Sequence, residues 1–303
     1  MQLAYLRETR RGKPAAALRR SNGEYLDIAA AIEKWVKASG GESSVSFNNP
    51  SPLDFALVAL ETVTALRLAT SELEDSAFTD CLYPSSSALI APIPRPNRIL
   101  AIGRNYGAHA LELGNAVPEE PIVFMKPGSC VIGPGDSIVI PDGVGRVDFE
   151  AELAVVIGKG GKDISEENAL SHVTAYTIFN DVTARDKQRA AQEKKHPWFL
   201  AKSLDTFGPL GPFLVTVDEI ADPHNLQITL KVNGETKQDG STEGMNFRIP
   251  YLIAYLSRWF KLEPGDIIAT GTPAGVGPIV PGDFLEIEIT GLGKLTNDII
   301  AGT

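Results

Sequence analysis

At 303 residues, 43% apolar and 22% charged, the chain is long enough to bury one large core or two smaller ones and too apolar for a disordered protein. Its 28 basic and 38 acidic residues give a formal net charge of −10 with no basic stripe, which excludes an electrostatic nucleic-acid binder. Two cysteines, Cys81 and Cys130, make neither a disulfide framework nor a zinc cluster. No run reaches membrane-spanning length and the N-terminus lacks a signal-peptide core, so the expectation is a cytoplasmic protein without a membrane partner.

Residues 1–92 read as a small α+β unit. Strand patterns occur at Gln2–Leu6 and Ala15–Leu18, and Asn22-Gly23 supplies a hairpin turn before Tyr25. Leu26 to Lys37 and Leu53 to Leu68 carry helical spacing. The segment Tyr83 to Arg98, YPSSSALIAPIPRPNR, is an extended linker by its prolines and serines, and the boundary is placed there. Residues 93–303 read as a mixed, strand-rich body: Pro-Gly-Asp turns at Pro134, Pro264 and Pro281 each precede an alternating apolar run, and Asn233-Gly234 closes a hairpin. Ser165 caps a short helix through Leu170, and Pro250 starts another to Phe260.

Candidate chemistry is spread along this body. In GRNYGAHALELG, His109 and Glu112 are three apart, so on a helix the carboxylate can orient the imidazole as a general base; an ordinary surface contact is the alternative. In DFEAELAVVIG, Glu150 and Glu152 fall on one strand face. Two like charges on a half-buried face repel, and Mg²⁺ or Mn²⁺ would resolve that; a solvated polar face, which Asp148 on the same alternation also fits, is the other reading. Asp181 ends a strand pattern from Val173 and is either a third ligand or a turn residue. Arg185 follows, suited to a substrate carboxylate or to a surface ion pair with Asp186 or Glu193. Lys202 sits among apolar residues, where burial and carboxylates pull its pKa in opposite directions. The turn IIATGTPAGVG has the composition of an anion cradle but no Walker spacing or lysine, so it is no nucleotide P-loop. His172 reads as helix surface, His224 as a turn residue and His196 as part of a charged loop that could act as a lid.

Occurring in series, GRNYGAHALELG, EAELAVVIG, NDVTARDKQ, WFLAKSLDTFGPLGP and GTPAGVG resemble the fumarylacetoacetate hydrolase family, in particular its domain-containing and acylpyruvase branch, over Pro94 to Ile300. Asp148 stands where relatives vary. The resemblance implies a mixed β-sandwich roll with short helices and a homodimer. It also implies Mg²⁺ or Mn²⁺ on Glu150, Glu152 and Asp181, and a lid bearing His109 and Glu112. Arg104, Arg185, Gln188, Lys202 and Thr272 fall at positions lining the substrate pocket in such proteins.

The implied reaction is metal-dependent carbon–carbon hydrolysis of an acylpyruvate-like 2,4-dioxo acid. The metal chelates the 2-oxo acid, water activated by His109 and Glu112 attacks the 4-carbonyl, and Lys202 stabilises oxyanion charge. Decarboxylation of oxaloacetate, tautomerisation or isomerisation of an unsaturated 2-oxo diacid of the 2-hydroxyhepta-2,4-diene-1,7-dioate type, and lyase or dehydratase chemistry could use the same site. A non-catalytic metal-binding scaffold is the reading from a different class.

Overall fold

The computed structural model describes residues 1–10, 12–38, 53, 75–107, 112 and 118–302. The strand Ala151–Ile157 lies at its centre, and all seven of its residues are buried. A continuous run such as LAVVI suits a strand covered on both faces. It pairs antiparallel with Val173–Asn180 on one side and Ile267–Ala269 on the other. From Val173–Asn180 the sheet continues through Gly208–Thr216 to the amino-terminal strands Gln2–Leu6, Ala15–Arg19 and Tyr25–Asp27; from Ile267–Ala269 it continues through Ile99–Gly103 to Ile122–Lys126. The proposed boundary near residue 92 thus separates two stretches of sequence whose strands share one sheet. The proline-rich segment adds Leu89–Ile90 to Gln2–Leu6.

A five-stranded sheet forms the second layer, in the order Glu235–Ser241, Gln227–Val232, Phe284–Ile289, Gly293–Ala301 and Ile138–Ile140. In FLEIEI every second residue is buried, as a strand with one wet face requires. The inward Leu285, Ile287 and Ile289 join Leu153, Val155, Tyr176 and Ile178 in one core, so the two sheets pack as a mixed, strand-rich sandwich. The Asn233-Gly234 hairpin forms as expected, with φ of 51° and 83° at its two residues, the left-handed values a tight two-residue turn demands.

Helices are few and short among the described residues, and none is long and apolar enough to cross a membrane. The Pro250 helix runs Ile249–Trp259. Ser165 precedes Glu166–Ala169, yet its hydroxyl accepts from the Asn168 side chain at 3.0 Å and does not cap the backbone. Apart from Leu53, the helical expectation over 53–68 lies outside the described residues. His172 corrects the sequence reading: it is buried, its Nδ1 2.7 Å from the Lys159 carbonyl, because the Lys159 loop folds back on it. His224 lies in a turn but is buried, with Nε2 accepting from the Ile249 N–H at 3.1 Å.

One irregularity positions the site. Val147–Phe149 belongs to a small sheet with Thr183–Ala184 and Gly277–Ile279, whereas Ala151–Ile157 belongs to the main sheet, and Glu150 is the residue between them. The N–H groups at the break are taken by side-chain amides: Asn180 Oδ1 accepts from Glu150 N, and Gln238 Oε1 accepts from Ala151 N, each at 3.0 Å. Gln238 is fully buried and also donates to Thr272 Oγ1 at 2.8 Å and to the Pro273 carbonyl at 2.9 Å. Gln238→Leu orphans all three partners and should lower the unfolding free energy by about 2–4 kcal/mol in urea titrations at constant m. A loss under roughly 0.5 kcal/mol would show that the amide does not hold the break.

Candidate active site

The break aims three acids at one point. Glu150 and Glu152 flank Ala151 and lie on the same side, and Asp181, one residue past its own strand, donates its N–H to the Glu150 carbonyl at 2.9 Å. All three are buried, and one carboxylate oxygen from each lies within 4.8 Å of the others. At that separation two carboxylates repel by about 3 kcal/mol even at an effective dielectric near 20. The donor set is all hard oxygen, which fits a divalent cation such as Mg²⁺ or Mn²⁺.

Cations of the chain surround the acids. Lys202 Nζ donates to Glu150 Oε2 at 2.8 Å and to Asp181 Oδ2 at 2.6 Å. Burial pulls the Lys202 pKa down, but Asp181 and Glu150 outweigh it and hold the ammonium above its ordinary value, resolving what the sequence left open. Lys126, fully buried, donates to Asp181 Oδ1 at 2.6 Å and to the carbonyls of Val182 and Phe207. Glu152 bonds no cation among the described residues and accepts only the Gly271 N–H, at 2.9 Å. Burial first, then the charges of Asp181 and Glu150, push its carboxyl well above the usual range.

Arg185 opens the helix Arg185–Glu193 and is neither free nor on the surface. Its Nη2 donates to Glu150 Oε1 at 2.7 Å, Nε to Asp148 Oδ2 at 2.9 Å and Nη1 to Gln188 Oε1 at 2.6 Å. The surface pairing with Asp186 or Glu193 does not occur. Asp148 corrects the solvated-face reading, being buried between Arg185 and Arg146 because that helix closes over its face of the strand. The turn after Ile267–Ala269 uses its N–H groups on the chain's own acids: Gly271 on Glu152, and Gly275 on both oxygens of Glu112 at 3.2 and 3.0 Å. His109 lies outside the described residues, so the dyad is described only at Glu112.

These groups line a cleft of about 200 Å³ that gathers the triad with Arg104, Arg185, Gln188, Lys202 and Thr272. Drug-sized ligands occupy roughly 300–1,000 Å³, so this cleft suits a small acid. Phe124 and Trp198 form its apolar wall, their ring centroids 5.7 Å apart. The sequence reading missed both rings and missed Lys126, Asn180 and Gln238. A lysine closing the apolar strand IVFM was the available signal for Lys126.

Residues 98–300 match the family described as fumarylacetoacetate (FAA) hydrolase C-terminal. The chain is 46% identical to a mitochondrial oxaloacetate tautomerase of Xenopus laevis over 244 residues, 78% of this chain and 75% of that protein. Among solved structures it resembles a putative HpcE protein from Mycobacterium smegmatis, with a TM-score of 0.80 and 34% identity. It also resembles maleylpyruvate hydrolase from Sphingobium sp. SYK-6 in complex with manganese(II) and pyruvate, with a TM-score of 0.78 and 30% identity. Both likenesses cover all of each chain.

Two outcomes follow from the charges. Glu152, with its pKa raised in the folded state, contributes stability that is complete below its unfolded value of about 4.3 and is lost as pH rises through the folded value. Chelator-treated protein should therefore lose stability with rising pH in that window, and Glu152→Gln should flatten the slope; a slope unchanged in the variant would contradict this. Lys126→Met strips Asp181 of a buried partner and should cost about 3–5 kcal/mol in chelator, read by denaturant unfolding.

Proposed function

Because the chain belongs to the fumarylacetoacetate hydrolase family and is an enzyme of it, we propose that it forms the enolate of a small 2-oxo acid, and that its reaction is keto–enol interconversion of oxaloacetate. The observation that carries this reading is Lys202, a buried ammonium fixed between Glu150 and Asp181 at the floor of a cleft sized for a small acid. Glu150, Glu152 and Asp181 would hold Mg²⁺ or Mn²⁺, which when bound supplies a Lewis acid for the carboxylate and 2-oxo oxygens of the substrate.

The rest is chemistry of the chain. Lys202 Nζ carries the proton that the 2-oxo oxygen takes as the C3–H bond breaks, and the C3 proton passes to a base, the role assigned to His109 oriented by Glu112. One proton leaves carbon and one arrives on oxygen, so the substrate is isomerised, and the proton held by the base returns to Lys202 through solvent before the next turnover. Arg185 keeps Glu150 aimed, Lys126 does the same for Asp181, and Phe124 with Trp198 excludes water from the wall. The mitochondrial tautomerase named above supports the choice of oxaloacetate. A second reading, hydrolysis of an acylpyruvate-like 2,4-dioxo acid, is favoured by Glu112, whose carboxylate is anchored on the Gly275 N–H in the turn that also carries Thr272. There the same dyad would activate water at the 4-carbonyl, breaking the C3–C4 bond to give pyruvate and a carboxylate.

The purified protein with Mg²⁺ or Mn²⁺ should accelerate the loss of enol absorbance of oxaloacetate, and a chelator should abolish it. Lys202→Met should lower kcat by about 10²–10⁴-fold with Mn²⁺ binding retained. Metal-dependent acetate and pyruvate from acetylpyruvate, without tautomerisation, would move the assignment to hydrolysis; pyruvate and CO₂ from oxaloacetate would move it to decarboxylation.

A further inference from the structure

The start of the helix Ile249–Trp259 depends on a residue far away in sequence. The side chain of Arg248, just before it, makes no cap, and Pro250 carries no N–H to satisfy. His224 supplies an acceptor instead. It is buried in the turn before Gln227–Val232, and its Nε2 accepts from the Ile249 N–H at 3.1 Å. An imidazole nitrogen accepts only while it carries no proton, so the ring hydrogen is on Nδ1, which faces Asp222 Oδ1 at 3.4 Å.

Among the described residues, two charges act on the ring: Asp222 from its own turn and Arg248 from the start of the helix. Asp222 favours a protonated ring and Arg248 opposes it. Burial is the largest influence and holds the His224 pKa below its ordinary value, which keeps the ring neutral at neutral pH. A proton on Nε2 turns the acceptor into a donor aimed at an N–H. It also sets a positive charge against the positive end of a helix.

The residues leading into that helix hold one side of the cleft. Tyr106 and Met245 form a single antiparallel bridge, and the Asn246 N–H donates to the Asn105 carbonyl at 2.7 Å. Phe247 exchanges two bonds with the Asn105 side chain, at 2.8 and 3.0 Å. Asn105 follows Arg104, a lining residue, and donates to the Thr270 carbonyl at 2.7 Å. The next residue, Gly271, gives Glu152 its N–H, and a Cβ there would lie 2.8 Å from that of Asn105. These segments are therefore in close contact from the helix to the triad.

We propose that His224 is a proton-sensitive latch: a second proton on its ring releases the start of the helix Ile249–Trp259 and, through the clasp on Asn105, loosens the Arg104–Tyr106 side of the cleft. The device acts from outside, since His224 does not line the cleft. The folded ring binds its second proton more weakly than the unfolded one. Its contribution to stability is therefore complete above the unfolded value of about 6.5 and is lost as pH falls through the folded value.

The test is hydrogen–deuterium exchange of the full chain between about pH 7.5 and about pH 5, read by mass spectrometry and corrected for the intrinsic pH dependence of exchange. In wild type, protection of the peptide covering Ile249 should fall with pH, by up to about tenfold per pH unit, the most that one proton allows. The peptide covering Arg104 to Tyr106 should lose protection in parallel, while Phe284–Ile289 should hold. His224→Gln keeps an acceptor that does not titrate and should abolish the pH dependence at both peptides. Asp222→Asn retains an acceptor for the His224 N–H and removes the charge that favours protonation, so it should move the loss to lower pH. That second variant keeps the test open if His224→Gln does not fold. A pH dependence at Ile249 that is absent in wild type, unchanged in His224→Gln, or unmoved in Asp222→Asn overturns the latch. Loss at Ile249 with Arg104 to Tyr106 unaffected overturns its link to the cleft.

Discussion

Three buried carboxylates converging on one small cleft is the constraint on which the rest depends. Left alone, Glu150, Glu152 and Asp181 could not all be charged there. The fold answers with an alternating chain of charge that runs Arg146, Asp148, Arg185, Glu150, Lys202, Asp181, Lys126, each bonded to the next. Counting Glu152 beside it, four cations face four carboxylates. With Glu152 ionised the cluster is neutral, and a divalent cation then leaves it positive by two charges. That surplus suits an anionic ligand, and proton release from Glu152 would accompany metal binding.

Such a cluster needs a backbone that turns at one residue without stranding its own polar groups. A regular strand through Glu150 would offer its N–H to a neighbouring strand; here the chain passes from one sheet to another, and the amides of Asn180 and Gln238 stand in for the missing ladder. Gln238 then reaches Thr272 on the third segment of the site. The acids, the turn that takes up Glu152 and the wall carrying Thr272 are thus coupled through one buried side chain.

Much of this was legible in the sequence because it is local. Alternation in DFEAE sets Glu150 and Glu152 on one face, LAVVI marks a doubly covered strand, and Asp181 ends its strand where an acid can reach a site. What was hidden is set by partners distant in sequence. Gln238 lies in ETKQDGS, an exposed edge strand in which it is the lone buried residue, and its partner Ala151 is 87 residues away. Lys126 looks like any lysine closing a strand until Asp181, 55 residues on, is seen beneath it. Asp148 was ambiguous because the helix that covers it, Arg185–Glu193, turns polar side chains, Arg185 and Gln188, inward instead of apolar ones. His172 was misread because its burial comes from the Lys159 loop folding back on it.

The same network divides the residues that the family pattern groups together as pocket lining. Arg185 spends its Nε and both terminal nitrogens on Asp148, Glu150 and Gln188, so it can approach a substrate only by releasing a buried carboxylate, a change that costs several kcal/mol. Its geometry is that of a positioning residue for Glu150. Thr272 accepts from Gln238 and keeps its own hydroxyl proton for the cleft. Lys202 is committed to Glu150 and Asp181 and so belongs with the metal end. Among the lining residues, Arg104 and the Phe124–Trp198 wall stand outside this network. The buried charge therefore tolerates little change, whereas side chains outside the network can vary without unpairing a carboxylate.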